Sequence, residues 1–405
     1  MKLILYSWGC NTDNILKNNL LRLGHEVFVY SRKCDHYTRD LTFAQELINL
    51  IHECDALGVI SYDYFPIISM VCKTTGIRYY SWVYDSPHYT LFAKAASYEC
   101  NRIGCFDGEL SERLNGLGID TVIHLPLGVE WPDLSAACDD RYACDVSFVG
   151  SLYTGDHDYY DSCLKDAELK RKADECVRKQ CFEYEKDHIG GFLRDDTGNP
   201  DTPLINEIKD ILDANGLILG DEYIEDIEYI FNSSFLEKKV TVEERRQLLN
   251  RVAGIGCDFR LYTGSKLSDE PLLEKYGKGY VDYHKVMPQV FNKSRINLNI
   301  TLRSIKTGIP LRALDIMGCG GFLLSNYQRE LDEYFENGKE MVLFYSLEDC
   351  IEKVSYYLAH EDERSKIAMA GSKAVRERFD HIKQLETLLD ITDGFKSVRE
   401  YKSRI

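Results

Sequence analysis

Residues 301–326 read TLRSIKTGIPLRALDIMGCGGFLLSN, and the fold class turns on this stretch. The apolar run Ile296–Ile300 just before it has the length of a buried strand. A basic loop with Arg303 and Lys306 follows, Gly308 permits a tight turn, and Pro310 suits the first turn of a helix. Gly318, Gly320 and Gly321 then let a new strand, Phe322–Ser325, start close against that helix. Strand, loop, helix and strand make a parallel unit with a right-handed crossover. The helix start offers free amides and the positive end of a dipole. Arg303, Lys306 and Arg312 add formal charge nearby. Asp315 follows Pro310 by about one and a half helical turns, where a carboxylate can accept two hydrogen bonds from a ribose diol. Two readings stand on spacing alone: a diphosphate-and-ribose seat, or a helix capped by surface basics with Asp315 in a structural ion pair.

The same alternation extends outward. Strand patterns recur at Asp145–Val149, Asp258–Tyr262 and Met341–Phe344, and earlier at Leu3–Tyr6, Val27–Tyr30, Ala56–Ile60, Arg78–Tyr84, Ile103–Phe106 and Val122–Leu127. Helix patterns such as Ile15–Leu23 and Phe43–Ile51 lie between them. Such alternation predicts parallel sheets covered on both faces. Gly128, Pro132 and Asp139-Asp140 mark a linker. The expected organisation is α/β: a doubly wound, Rossmann-like domain over 1–140 and a second over 141–380. The charged segments KDAELKRKADE and TVEERRQLLNRV read as a helical insertion in the second domain, over about 155–250. A final helix in 381–405 can cross back to the first domain. Facing domains of this kind put both sets of strand C-terminal loops around one cleft, where ligands bind.

Composition narrows the function classes. The chain has 405 residues, 44% hydrophobic and 28% charged, which fits a soluble protein of two or three domains. Lys and Arg number 49 and Asp and Glu 66, so the formal charge is 49 − 66 = −17. Such a surface repels nucleic acid and anionic lipid, while a local basic pocket can still hold a small anion. No run of apolar residues is long enough to span a bilayer, and the opening MKLILY is too short for a signal-peptide core. The 14 cysteines are scattered with no CxxC pair, which reads as reduced thiols in a cytoplasm.

The 301–326 stretch resembles the C-terminal signature of GT-B glycosyltransferases, and more narrowly the bacterial CgeB-like (spore maturation protein) group. FVGSLY (148–153), YVDYHKVMPQVFNKSRINLNIT (280–301) and the segment 336–379 are similar to the same group. The resemblance covers about 145–153 and 257–380 well, 1–127 loosely, and the insertion hardly at all. It implies two facing Rossmann-like domains and a nucleotide-diphosphate sugar donor, with UDP favoured. Asp315 falls where many retaining enzymes have the second glutamate of an E-x7-E motif that holds the donor ribose; the first position is Thr307 here. Arg303 and Lys306 fall where cations neutralise the diphosphate, Gly308 and Ile309 match the amide-donating loop, and Asn299 ends the preceding strand towards the cleft. In the N-terminal domain, Gly9 and Asn11 lie in a loop resembling the first glycine-containing GT-B loop. Asp85 and His88, in a DSP-type loop, are candidate general-base or acceptor-orienting groups. Gly150 and Ser151 can donate amides to phosphate, and Thr263 can flank the base or ribose.

Leaving-group charge is then met by protein cations, and neither cofactor nor metal is expected. A competing signal is Asp156-His157-Asp158, a DxD that can hold a divalent ion. The expected function is transfer of a sugar, with retention, to an unidentified glycan, protein or small-molecule acceptor. The alternatives are a sugar-nucleotide epimerase on the same fold and a non-catalytic binding or scaffold protein; an oligomer fits each.

Overall fold

A computed structural model describes residues 1–130, 142–154 and 159–390. The first sheet is built from β1 (Lys2–Tyr6), β2 (Glu26–Tyr30), β3 (Gly58–Tyr62), β4 (Arg78–Val83), β5 (Asn101–Cys105) and β6 (Val122–His124). The second holds β7 (Cys144–Val149), β8 (Phe259–Tyr262), β9 (Ser294–Asn299), β10 (Leu323–Asn326) and β11 (Val342–Phe344). All pairings are parallel, in the orders β2-β1-β3-β4-β5-β6 and β11-β10-β9-β7-β8. The central strands are buried along their whole length, as GVISY in β3 and LLSN in β10. Such strands need helices on both faces, and short polar caps start several of those helices. Asp40 accepts from the Phe43 amide, and Asp107 accepts from the amides of Glu109 and Leu110. The order reverses between β1 and β3 in one sheet and between β7 and β9 in the other, so the loops after these strands open the crevices used for ligands.

The domains share a core. Leu3, Leu5 and Trp82 of the first domain belong to one buried cluster with Ile309, Leu314 and Ala374 of the second. The chain then crosses back: the helix His381–Asp390 packs on β4 and β5. Val129 donates to Phe379 at 2.9 Å, and His381 to Val129 at 3.2 Å. A Cβ on Gly128 would lie 2.6 Å from the His381 Cα, so only glycine admits this crossing. The His381 ring is buried, with Nε2 2.6 Å from the Tyr62 hydroxyl and Nδ1 3.0 Å from Asn19. Burial lowers its pKa to about 4, so the ring is neutral.

The helical insertion is shorter than its charge pattern suggests. The helix Glu237–Ala253, expected to belong to it, is the crossover between β7 and β8: Leu248, Leu249 and Val252 pack on Val146 and Phe148. Before it, Ala167–Gln180, Thr202–Ala214 and Ile227–Phe231 surround a separate core of Leu169, Val177, Ile208 and Phe231. This unit reaches across to the first domain. Ile224 donates to Phe92 at 2.7 Å, Lys94 to Glu222 at 2.9 Å, and Arg113 forms a two-pronged pair with Asp226 at 2.7 Å on each arm. The insertion is thus a second bridge between the domains.

Among the described residues no helix is long and apolar enough to cross a membrane. Leu385 of the returning helix is fully buried. Leu385→Ala should therefore lower unfolding stability by about 2–5 kcal/mol, read as a shift of the urea midpoint; an unchanged midpoint would mean that the returning helix adds nothing to the fold.

Candidate functional site

The two sheets face each other with their strand C-terminal ends. Loops after β1, β3, β4 and β5 meet loops after β8, β7, β9 and β10. At the β1 end lies a cavity of about 520 Å³, where Asn11, Gly150, Ser151, Thr263 and Arg312 come together with Tyr280 and Tyr283. The loops are tied to one another: Leu152 donates to the Ser265 hydroxyl at 2.9 Å, and Ser265 to Thr263 Oγ1 at 3.1 Å. The Gly150 amide is spent on Tyr262, at 3.0 Å, so it is not available for the phosphate contact expected of it. The Gly9 amide is likewise taken by Asp13, at 3.2 Å, which also holds Ser7 and Cys10 and fixes the first loop. Asn11 bridges the cleft through its carbonyl, which accepts from His284 Nε2 at 2.6 Å.

Beneath the Gly150–Ser151 loop lies Arg245, from the crossover helix. It is 7% exposed. Its Nη1 donates to the Ser151 carbonyl at 2.5 Å and its Nη2 to the Ile300 carbonyl, so it clamps the two loops at the switch point. Its Nε has no hydrogen-bond partner, and no carboxylate pairs with it among the described residues. Burial lowers its pKa, and the nearby Arg312 charge acts in the same direction. A guanidinium stays protonated under such pressure, so the site carries a fixed positive charge, met by two carbonyls and the Tyr153 ring and by no ion-paired carboxylate among the described residues. The charge pattern of this helix points to the insertion; the signal for its buried face is that Arg245 shares it with Leu248 and Leu249.

Arg312 stands on the same side, 3.9 Å from Asp315 and against Met287 and the Phe291 ring. Asp315 is buried behind Tyr283, whose hydroxyl donates to it at 3.2 Å, and it faces a smaller cavity of about 130 Å³ walled by Tyr62, Trp82 and His381. Burial pushes its carboxyl up to about 6 against the pull of Arg312 and Tyr283.

The other residues of the decisive stretch fall elsewhere. Asn299 does not face the cleft: it is buried, with its amide donating to Thr301 Oγ1 at 3.1 Å and Ser325 Oγ at 2.9 Å. Ile309 lies in the shared core. Gly308 serves domain contact rather than an amide cradle, since a Cβ there would lie 2.7 Å from the Phe106 carbonyl. The expected single basic island divides in two. Arg303 is held by the buried Glu244, with contacts of 2.5 and 3.0 Å, and Lys306 by the buried Glu237. Both line a different cavity from Arg312, of about 330 Å³. Thr307 ties the domains together. Its hydroxyl lies 3.0 Å from Asp107 Oδ1 and 2.7 Å from Glu330 Oε1, and Asp107 also accepts the Lys306 amide at 2.6 Å.

Between the two ends sits an acidic group. Asp63 has a left-handed backbone, φ 56°, and its Oδ1 accepts from the amides of Tyr84 and Asp85 at 3.1 and 3.2 Å. Asp85 is exposed in the cleft, and its carboxyl is pushed up to about 6 by the protein around it and by the Asp63 charge. Asp63 is raised to about 6 as well, chiefly by burial. His88 does not offer a base to the cleft. Its Nε2 accepts the Tyr64 amide at 3.0 Å and lies 2.9 Å from the Thr90 hydroxyl, its Nδ1 is 3.8 Å from Asp63, and burial lowers it to about 4. Asp156 and Asp158 of the DxD lie outside the described residues. Among the described residues no group of three or more His, Cys, Asp or Glu side chains is placed to hold a metal.

Residues 243–390 match the family model described as Glycosyl transferase-like. The chain has the fold of sucrose-phosphate synthase from Thermosynechococcus elongatus, at 9% identity over 100% of each chain and TM-score 0.55. It also has the fold of a glycosyltransferase from Rickettsia africae ESF-5, at 10% identity over 96% and 97% of the chains and TM-score 0.54. No curated protein matches it. The two facing doubly wound domains are thus the GT-B arrangement, and the second carries a glycosyl transferase-like domain.

Asp63, Asp85 and Asp315 all have raised folded values, so they bind protons more tightly folded than unfolded. Their contribution is greatest below about pH 4 and is withdrawn as pH rises through about 6. Asp315→Asn should raise the melting temperature at pH 7.5, by an amount equivalent to about 1–3 kcal/mol, with the gain closing towards pH 4. Parallel pH profiles for the two proteins would contradict this.

Proposed function

We propose that the protein is a glycosyltransferase of the CgeB-like kind that moves a sugar from a nucleotide-diphosphate donor, UDP-sugar first, to an acceptor hydroxyl with retention. The observation that carries this is the buried Arg245, which has no ion-paired carboxylate among the described residues and holds the Ser151 carbonyl from beneath the cavity that Arg312 lines. A buried cation with no ion-paired carboxylate gains most when an anion is brought to it. In this reading the donor diphosphate lies along Ser151 and Arg312, over the Arg245 charge. The base lies against Thr263 and Tyr280, and Asp315 holds Tyr283 at the ribose side.

As the bond from the anomeric carbon to the diphosphate oxygen breaks, the electron pair leaves with the diphosphate, where fixed positive charge is most valuable. The anomeric centre becomes oxocarbenium-like. The acceptor oxygen then forms the new bond, and its proton passes to the Asp85–Asp63 pair, whose values near 6 suit a base at neutral pH. No metal is needed in this scheme, because protein cations meet the leaving group.

The test is a thermal-shift and calorimetric panel of UDP-, GDP- and TDP-sugars, with and without Mn²⁺. UDP-sugars should stabilise the protein without metal, and Arg312→Ala should weaken binding by about tenfold or more. Absence of binding by every nucleotide and nucleotide sugar would overturn the reading. Conversion of the donor to an isomeric sugar nucleotide without acceptor would assign an epimerase instead.

A further inference from the structure

The cavity of about 330 Å³ at the other end of the cleft shares no lining residue with the one assigned to the donor. Three separate parts of the chain build it: Glu109 of the first domain, Lys186 of the insertion, and Lys306, Gln328 and Arg329 of the second domain. It lies across the 301–307 loop from Gly150 and Arg312. We propose that this cavity binds the acceptor, and that the acceptor is an uncharged, hydroxyl-rich molecule, a mono- or disaccharide. The inference rests on the glycosyltransferase reading for its role, and on the cavity alone for the class of ligand.

Position comes first. Ser86, next to Asp85, donates to the Ser304 carbonyl at 2.9 Å, and the neighbours of Ser304, Arg303 and Ile305, line the cavity. Asp85 is therefore one residue from the contact that joins its loop to the cavity wall, and on this account it is the group that meets the acceptor hydroxyl. Charge sets the class. Acidic and basic side chains line the cavity in equal number, and its two deepest cations are already matched by Glu237 and Glu244. No surplus cation remains to capture a phosphate or carboxylate. A wall dense in both donors and acceptors suits hydroxyls, each of which donates once and accepts. Tyr327, stacked on Tyr345 at 5.4 Å, adds a flat face for the C–H side of a sugar ring. The volume is at the small end for ligand sites, which limits the bound portion to one or two rings.

The insertion gains a purpose on this account, because it supplies the wall from Gln180 to Ile189 that closes the cavity. The sequence bordering this wall, rather than the donor loops, sets which acceptor is used.

Saturation-transfer NMR and calorimetry on the full chain, with glucose, N-acetylglucosamine, maltose and cellobiose, and with glucose 6-phosphate and UDP in parallel, test this. A neutral saccharide should bind, and Lys186→Ala and Arg329→Ala should each weaken it about fivefold or more while the UDP titration and the melting temperature are retained. Equal saccharide binding by both variants would overturn the site. Binding of glucose 6-phosphate alone would overturn the ligand class. UDP binding with no saccharide binding would overturn the acceptor site while leaving the donor reading intact, and loss of UDP binding in the wild type would instead remove the donor reading.

Discussion

The Thr307 hydroxyl lies within hydrogen-bond distance of two carboxylates, Asp107 and Glu330, and it has a single hydrogen to give. It also accepts from the Glu109 amide at 3.1 Å. The hydrogen is shared between the two carboxyl oxygens, and burial raises Asp107 above the usual carboxylate value. Glu330 in turn accepts from Gly108 at 3.0 Å and lies 2.9 Å from His124 Nε2. This knot joins the end of β5 to the loop after β9, with Gly308 pressed against Phe106. The relative placement of the domains, and so the cleft itself, depends on it. It also commits the 306–308 backbone to domain contact, which is why the donor diphosphate is assigned in the proposed function to the loop after β7 instead.

The cleft has three stations as a result. A nucleotide-sized cavity faces the loops after β7 and β8, an acidic pair stands in front of β3 and β4, and a polar cavity faces the loops after β9 and β10. Charge follows the same division. Arg303 and Lys306 are neutralised by Glu244 and Glu237, Arg312 stands 3.9 Å from Asp315, and Arg245 has no ion-paired carboxylate among the described residues. The −17 sum describes the exterior and says nothing of this interior asymmetry. The insertion and the returning helix tie the domains at two further places, through Arg113 and Asp226 and through His381, so the stations are held in fixed register.

The strands and their order of appearance were legible because fully buried parallel strands leave short apolar runs between polar loops. Pro310 and the glycines around it marked the decisive crossover correctly. The side of the loop on which each charge falls was not legible. Arg303, Lys306 and Arg312 are close in sequence, and only the distant carboxylates of the crossover helix separate them. That helix was misassigned for the same reason: TVEERRQLLNRV is dense in charge, yet Glu244 and Arg245 are buried, as is Glu237 at the helix start, among loops that sequence cannot place. Asn299 was expected at the cleft because it ends the strand before the basic loop, but its amide is spent inside the sheet. Asp63 left no pattern at all, because its role depends on a single left-handed turn.

Where the donor phosphates sit is the most direct test. Crystals grown with UDP should show the diphosphate along Ser151 and Arg312, above the Arg245 guanidinium, with Arg303 and Lys306 still paired to their glutamates. Phosphates bound instead to Arg303 and Lys306, with those pairs broken, would contradict the division of the cleft on which the account stands.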